Sequence, residues 1–202
     1  MRSQTLIIMV KEPRPGRVKT RLGRDIGMVG AAWWFRHQSA ALIRRLRDPR
    51  WQIVLSVAPD REGMESRCWP ADLARISQGR GDLGQRMARA MGRIPLGRVC
   101  LVGADIPGLS RWHIARAFAA LGPNDVVFGP AEDGGFWLVG VRHGGAVPSG
   151  LFDDVRWSGE HTLSDAVAAN GGQRVALVDR LRDVDVAADL PAALRIGGPR
   201  HF

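Results

Sequence analysis

Short runs of continuously apolar residues alternate with amphipathic stretches along most of the chain. "TLIIMV" (5–10), rich in β-branched residues and closed by Lys-Glu-Pro, predicts a buried strand feeding a loop. From about 29 to 46, Ala32, Trp33, Phe35, Ala40, Leu42, Ile43 and Leu46 approximate one helical face, and "DPR" ends the helix. Trp33-Trp34-Phe35 reads there as core packing. The same patterns predict strands at 51–58, 99–103, 125–129, 136–141 and 173–178. They predict helices at 111–121, 162–170, 187–196 and 83–94, the last with Leu83, Met87, Met91 and Ile94 on its apolar side. Apolar strands separated by helices imply an α/β protein with a largely parallel sheet covered on both faces. No repeat or linker divides the chain, so one domain over 1–202 is expected.

Composition adds little to this and removes several alternatives. With 45% hydrophobic and 24% charged residues, the 202-residue chain is an ordinary globular sequence. No apolar stretch approaches the ~18 residues needed to span a bilayer, and "TLIIMV" is too short for a signal-peptide core, so a cytoplasmic protein without a membrane partner is expected. Cys68 and Cys100 form no metal-ligand spacing, and Cys100 reads as a core residue. The net charge of +9 raises nucleic-acid binding as an alternative, but the arginines are dispersed and a solvated basic surface explains them better.

In a sheet of this kind ligands bind beyond the carboxyl ends of the strands, and there the sequence is rich in chemistry. "KEPRPGRVKTRL" follows the first strand and contains both lysines of the chain, Lys11 and Lys19. It is not a P-loop, because Val18 precedes Lys19 where that motif requires glycine. Gly16 frees the backbone, and Arg17, Lys19 and Arg21 supply donors suited to phosphate oxygens. Asp105, in "LVGADIPGL", either caps a turn or anchors a Mg²⁺, which needs only one or two protein carboxylates beside phosphate and water. In an extended chain Asp183 and Asp185 project to one face about 6.5 Å apart, near enough to share a cation, whereas Asp189 reads as a helix-start residue. Asp133-Gly134-Gly135 is either a hairpin turn or a close approach to substrate, with Asp133 touching it. "QGRGDLGQRM" (78–87) places glycines ahead of a helix start, whose free N–H groups suit an anion or a base edge. No histidine lies in a catalytic spacing, and G-x-S-x-G is absent.

Taken in order, "KEPRPGRVKTRL", "QGRGDLGQRM", "VGADIPGL", "GPAEDGGFWLVG", "LFDDVRW" and "DVDVAADL" resemble a bacterial family of GT-A-like transferases of the glycosyltransferase A superfamily. That family is related to 2-phospholactate guanylyltransferase and, more distantly, to molybdenum cofactor guanylyltransferase. The resemblance implies a nucleotide-diphospho-sugar transferase fold: a Rossmann-like, mostly parallel mixed sheet between helices. It implies a nucleotidyl- or glycosyltransferase that uses an NTP or nucleotide sugar, a small anionic acceptor and Mg²⁺ or Mn²⁺, with nucleotidyl transfer favoured and a homodimer left open. Gly16, Lys19 and Arg21 then match the triphosphate loop, and Gln78, Gly81, Asp82, Leu83 and Gly84 the stretch lining the base. Asp105 matches the metal aspartate, Asp183 with Asp185 the acidic pair near the second substrate, and Asp133, Gly134 and Gly135 the acceptor loop. Lys19, Arg21 and Asp105 are the expected catalytic groups. Phe136-Trp137 replaces the Tyr-Tyr frequent in the family, and Ala104 and Ile106 replace a serine and a cysteine, so polar contacts are lost on the acceptor side. A nucleotide-binding module of the same fold without turnover is the alternative.

Overall fold

A computed structural model of the chain describes residues 4–182 and 184–190. In its first strand, β1 (Gln4–Lys11), Leu6, Ile8 and Val10 join one apolar cluster and Ile7 another. Successive side chains of a strand point to opposite faces, so the two clusters lie on the two sides of a sheet, which explains why its inner strands are apolar throughout. β2 (Gln52–Ala58) and β3 (Ala74–Ser77) extend the sheet in parallel on one flank of β1, and β4 (Arg98–Val102) pairs in parallel on the other. β6 (Phe136–Val141) runs antiparallel between β4 and β5 (Val126–Pro130), and β7 (Val175–Leu177) adds parallel to β5. The result is a seven-stranded, mostly parallel mixed sheet of order β3-β2-β1-β4-β6-β5-β7.

Helices cover both faces. α1 (Thr20–Ile26), α2 (Met28–Arg45) and α5 (Arg111–Ala120) bring Leu22, Leu42 and Phe118 to the first cluster. α4 (Leu83–Gly92) and α6 (Thr162–Ala168) bring Met87, Met91 and Ala166 to the second. The reversed strand fixes where the chemistry gathers. Because β6 is antiparallel, the turn joining it to β5 emerges at the same end of the sheet as the carboxyl ends of β1 and β4.

Several expectations need correction. Trp33 is 62% exposed rather than packed, while its neighbours Trp34 and Phe35 are buried. The helix expected from about 29 to 46 is α2, but a further short helix, α1, precedes it inside the stretch read as loop, the two divided at Gly27, whose φ of 83° suits glycine. Leu83 is 47% exposed although it stands at the spacing of the buried Met87 and Met91. The four-residue β3 and the six-residue α3 (Asp60–Glu65) are too short to produce a readable period. At the expected closing helix, Ala187–Asp189 forms one 3₁₀ turn, and the stretch from 191 onward lies outside the described residues.

Candidate active site

The Glu12 N–H, donating to the Ala58 carbonyl, carries the β1–β2 ladder one residue past β1; turn bonds from the Arg14 N–H to the Glu12 carbonyl and from the Arg17 N–H to the Arg14 carbonyl follow, and Val18 is buried. Lys19, at the entrance to α1, adopts a left-handed backbone with φ of 45° and ψ of 49°. That turn sends its side chain, only 9% exposed, inward between two carboxylates. Its Nζ lies 2.7 Å from Asp105 Oδ2 and 2.8 Å from Asp185 Oδ1, and Arg21 Nη1 meets the other Asp185 oxygen at 3.1 Å. Burial by itself would lower the Lys19 pKa. The charge and hydrogen bond of Asp105, followed by those of Asp185, outweigh burial and move it upward from 10.5.

Each carboxylate is positioned by a local device. Asp105 follows β4, and a side chain on Gly103 would come within 2.9 Å of its Oδ1, so glycine there leaves the carboxylate its room. The Asp105 carbonyl accepts from the Val184 N–H at 3.2 Å, which ties the segment carrying Asp185 to the end of β4. Asp189 accepts from the backbone N–H groups of Asp185 and Val186, both at 3.0 Å, so its role is structural, as its place at a helical start suggested. Asp183 lies outside the described residues.

These groups border a cavity of about 630 Å³ at the carboxyl ends of the strands. Of the residues expected at the site, Lys19, Arg21, Gln78, Leu83, Asp105, Asp133, Gly135 and Asp185 line it. Gly16, Gly81, Asp82, Gly84 and Gly134 do not line it, and three of these have structural duties. Asp82 caps α4 by accepting from the Gln85 N–H at 2.8 Å. A Cβ on Gly84 would meet Trp157 at 2.6 Å and Phe152 at 2.8 Å, so this glycine permits close packing. One on Gly134, where φ is 88°, would strike the Glu160 backbone at 2.5 Å. Gln78 is buried and donates its amide to the carbonyls of Val10 and Ser56, closing β1 onto β2. Asp133 serves the hairpin as well as the cavity, since it accepts from the Gly135 N–H at 2.9 Å.

Sequence reasoning reached one wall, through "LFDDVRW", without giving it a role. Trp157, Ser158, Gly159 and Thr162 line the cavity from the segment that leads into α6. The available signal was a lone tryptophan ahead of a Ser-Gly turn, outside any strand end.

Among the described residues no group of three or more His, Cys, Asp or Glu side chains is arranged to hold a metal. Asp105 and Asp185 nevertheless already converge on one positive charge, and two carboxylates completed by phosphate and water form a donor set that suits Mg²⁺ or Mn²⁺.

A family model for DUF2064, described as an uncharacterized protein conserved in bacteria, matches residues 41–159. The chain belongs to the DUF2064 family. None of the curated proteins matches this DUF2064 sequence significantly. Among solved structures it is similar to one assigned as a nucleotide-diphospho-sugar transferase from Desulfovibrio desulfuricans G20. The identity is 30% over 94% of this chain and 85% of that one, with a TM-score of 0.80. CMP:2-keto-3-deoxy-manno-octonic acid synthetase, solved with CTP, aligns at 10% identity over 92% of this chain and 94% of that one, with a TM-score of 0.58. Glucosyl-3-phosphoglycerate synthase from Mycobacterium tuberculosis was solved with Mn²⁺, UDP and glucosyl-3-phosphoglycerate. It aligns at 10% identity over 90% of this chain and 71% of that one, with a TM-score of 0.54. At so low an identity the last two indicate fold alone. The DUF2064 chain has the GT-A-like nucleotide-diphospho-sugar transferase fold, and its structural neighbours are nucleotidyl- and glycosyltransferases.

Proposed function

We propose that the chain is a metal-dependent transferase whose donor is an NTP or a nucleotide sugar, in keeping with the guanylyltransferase kinship that its motifs suggest. One observation carries this reading: Lys19, Asp105 and Asp185, from three distant parts of the chain, meet at 2.7 and 2.8 Å in a cavity at the carboxyl ends of the strands. Lys11, Arg17 and Arg21 line the same side and suit the donor's phosphates, with Gln78 and Leu83 beside the base.

Asp105 and Asp185 would hold Mg²⁺ or Mn²⁺, which supplies charge stabilisation at the phosphates. The chain's own contribution follows from the clasp. A phosphate entering beside Lys19 offers its ammonium a new partner and frees both carboxylates to face a cation. Arg17 and Arg21 then offset the charge that accumulates on the departing pyrophosphate or nucleoside diphosphate, while Asp133 is placed to accept a proton from the attacking group.

A thermal-shift series over the four NTPs and common nucleotide sugars, with and without Mg²⁺, tests the reading. A ligand at about 100 times its Kd stabilises by roughly 2.7 kcal/mol. Asp105→Ala is expected to abolish the metal-dependent part of the shift and to retain part of the nucleotide-only shift. An unchanged metal-dependent shift would remove Asp105 from the site.

A further inference from the structure

The cavity has two chemically different halves. Among the described residues, every lysine and arginine lining it comes from one segment, 11–21. The opposite wall, drawn from 131–162, carries a single charged group, Asp133, together with the rings of Phe136 and Trp157; Trp137 borders the cavity from the other face of the sheet, 4% exposed, with its indole N–H donated to the Asp179 carbonyl. The chain contains no tyrosine, so none of these rings brings a hydroxyl. Arg156, in the same loop as Trp157, is committed to Asp165 through Nε at 2.8 Å and Nη2 at 2.9 Å.

This wall is built in advance of any ligand. Phe136 meets Trp157 edge-on at 6.3 Å and stacks on Phe152 at 6.3 Å with 9° between the planes. Behind the rings, the bare Cα of Gly84 lets α4 press against Trp157 and Phe152. At the hairpin, the Leu163 N–H donates to the Gly134 carbonyl at 3.0 Å, joining the β5–β6 turn to the start of α6.

We propose that the aromatic wall binds the acceptor, and that the acceptor is an uncharged or cationic molecule with a flat apolar face and a hydroxyl or amine directed at Asp133. The small anionic acceptor expected from sequence would find no cation on this wall. Its charge would face a carboxylate and the negative faces of the rings, and its lost hydration would go uncompensated. A neutral ring gains packing there, and a cation gains the ring faces and Asp133 together. In the transfer step a hydroxyl oxygen, or an amine nitrogen that has first released its ammonium proton to solvent, bonds through its lone pair to the donor's phosphorus or anomeric carbon. Its proton passes to the Asp133 carboxylate, and pyrophosphate or nucleoside diphosphate leaves with the bonding pair toward the cationic half.

The proposal rests on the reading of that cationic half as the donor's phosphate site. Three probes sharing one ring separate the alternatives: 2-phenylethanol, 2-phenylethylamine and phenyl phosphate. Binding of each to the full chain is followed by saturation-transfer NMR, alone and with the NTP and Mg²⁺ that give the largest thermal shift. With the NTP and Mg²⁺ filling the cationic half, the alcohol and the amine are expected to bind at least about tenfold more tightly than phenyl phosphate, which on the ligand-free chain is free to use the cations of segment 11–21. Trp157→Ala should weaken both by about tenfold, and Asp133→Asn, at an exposed position, should weaken the amine while sparing the alcohol. Phenyl phosphate binding as tightly as the alcohol to the nucleotide-loaded chain would overturn the proposal. Displacement of the alcohol by the nucleotide would overturn it too, by assigning the wall to the nucleobase. If no nucleotide binds at all, the donor-site reading fails, and the response of alcohol binding on the ligand-free chain to Trp157→Ala still decides the character of the wall: an unchanged affinity would overturn the proposal.

Discussion

Lys19 behaves as an internal counter-ion. With its side chain 9% exposed and its partners Asp105 and Asp185 at 30% and 41%, the clasp is sheltered on the lysine side and open to water on the other. Removing the ammonium leaves two carboxylates facing each other. Lys19→Met should therefore destabilise the ligand-free chain by about 1–3 kcal/mol, less than the loss on breaking a fully buried pair, because solvent reaches both aspartates. Mg²⁺ should restore more stability to this variant than it adds to the wild type, and thermal unfolding with and without the ion measures both effects. The direction with pH follows from the upward shift of Lys19. Its contribution is fully present below its ordinary value of 10.5 and is lost as pH rises through the higher folded value, so the clasp persists across the neutral range. At this scale the sequence revealed the charged residues and little about their partners. A lysine and an arginine after a strand announce an anion site, whereas the salt bridge to Asp185 depends on a tertiary approach that no local spacing encodes.

Between elements, a threefold hydrogen-bonded ion pair holds the segment that carries the aromatic wall. Arg156 donates to Asp165 of α6 through its backbone N–H and through two guanidinium nitrogens. The side-chain hydrogen bonds of Arg156 hold the Asp165 carboxyl at about 2, below its ordinary 3.8. Stability from this pair is therefore present above pH 3.8 and fades as pH falls through about 2. Asp165→Asn should loosen the 152–159 segment at neutral pH and remove its acid dependence, which the emission of Trp157, in a chain whose other tryptophans are replaced by phenylalanine, would register. The elements themselves were well marked in the sequence. β1, β2, β4, β5, β6, α4 and α5 appear within one or two residues of expectation, because apolar runs and helical periods are set by burial. The antiparallel direction of β6 was foreshadowed by Asp133-Gly134, which keeps both its turn role and its place on the cavity. The loop carrying Trp157 entered only as the motif "LFDDVRW", with no place on the site, because its position comes from packing against Gly84 and from the bond to Asp165.

Across the molecule, the two apolar clusters lie on the two sides of one sheet, and β1, β4, β5 and β6 contribute to both. We propose on this basis that the described residues form one folding unit. Heating should give a single cooperative transition, with far-ultraviolet circular dichroism and tryptophan emission coinciding; two separated steps would divide the chain. The +9 net charge takes its meaning at this scale as well: most arginines serve the general surface, and the cations of segment 11–21 give one rim of the cavity its polarity. The bond between Lys19 and Asp185 spans 166 positions of sequence. During synthesis the early half of the cage leaves the ribosome long before its counterpart, so a nascent chain cannot complete it until Asp185 has emerged. On the function proposed above, products interrupted before Asp185 would keep most of the cavity lining and lack one of the two carboxylates that face Lys19.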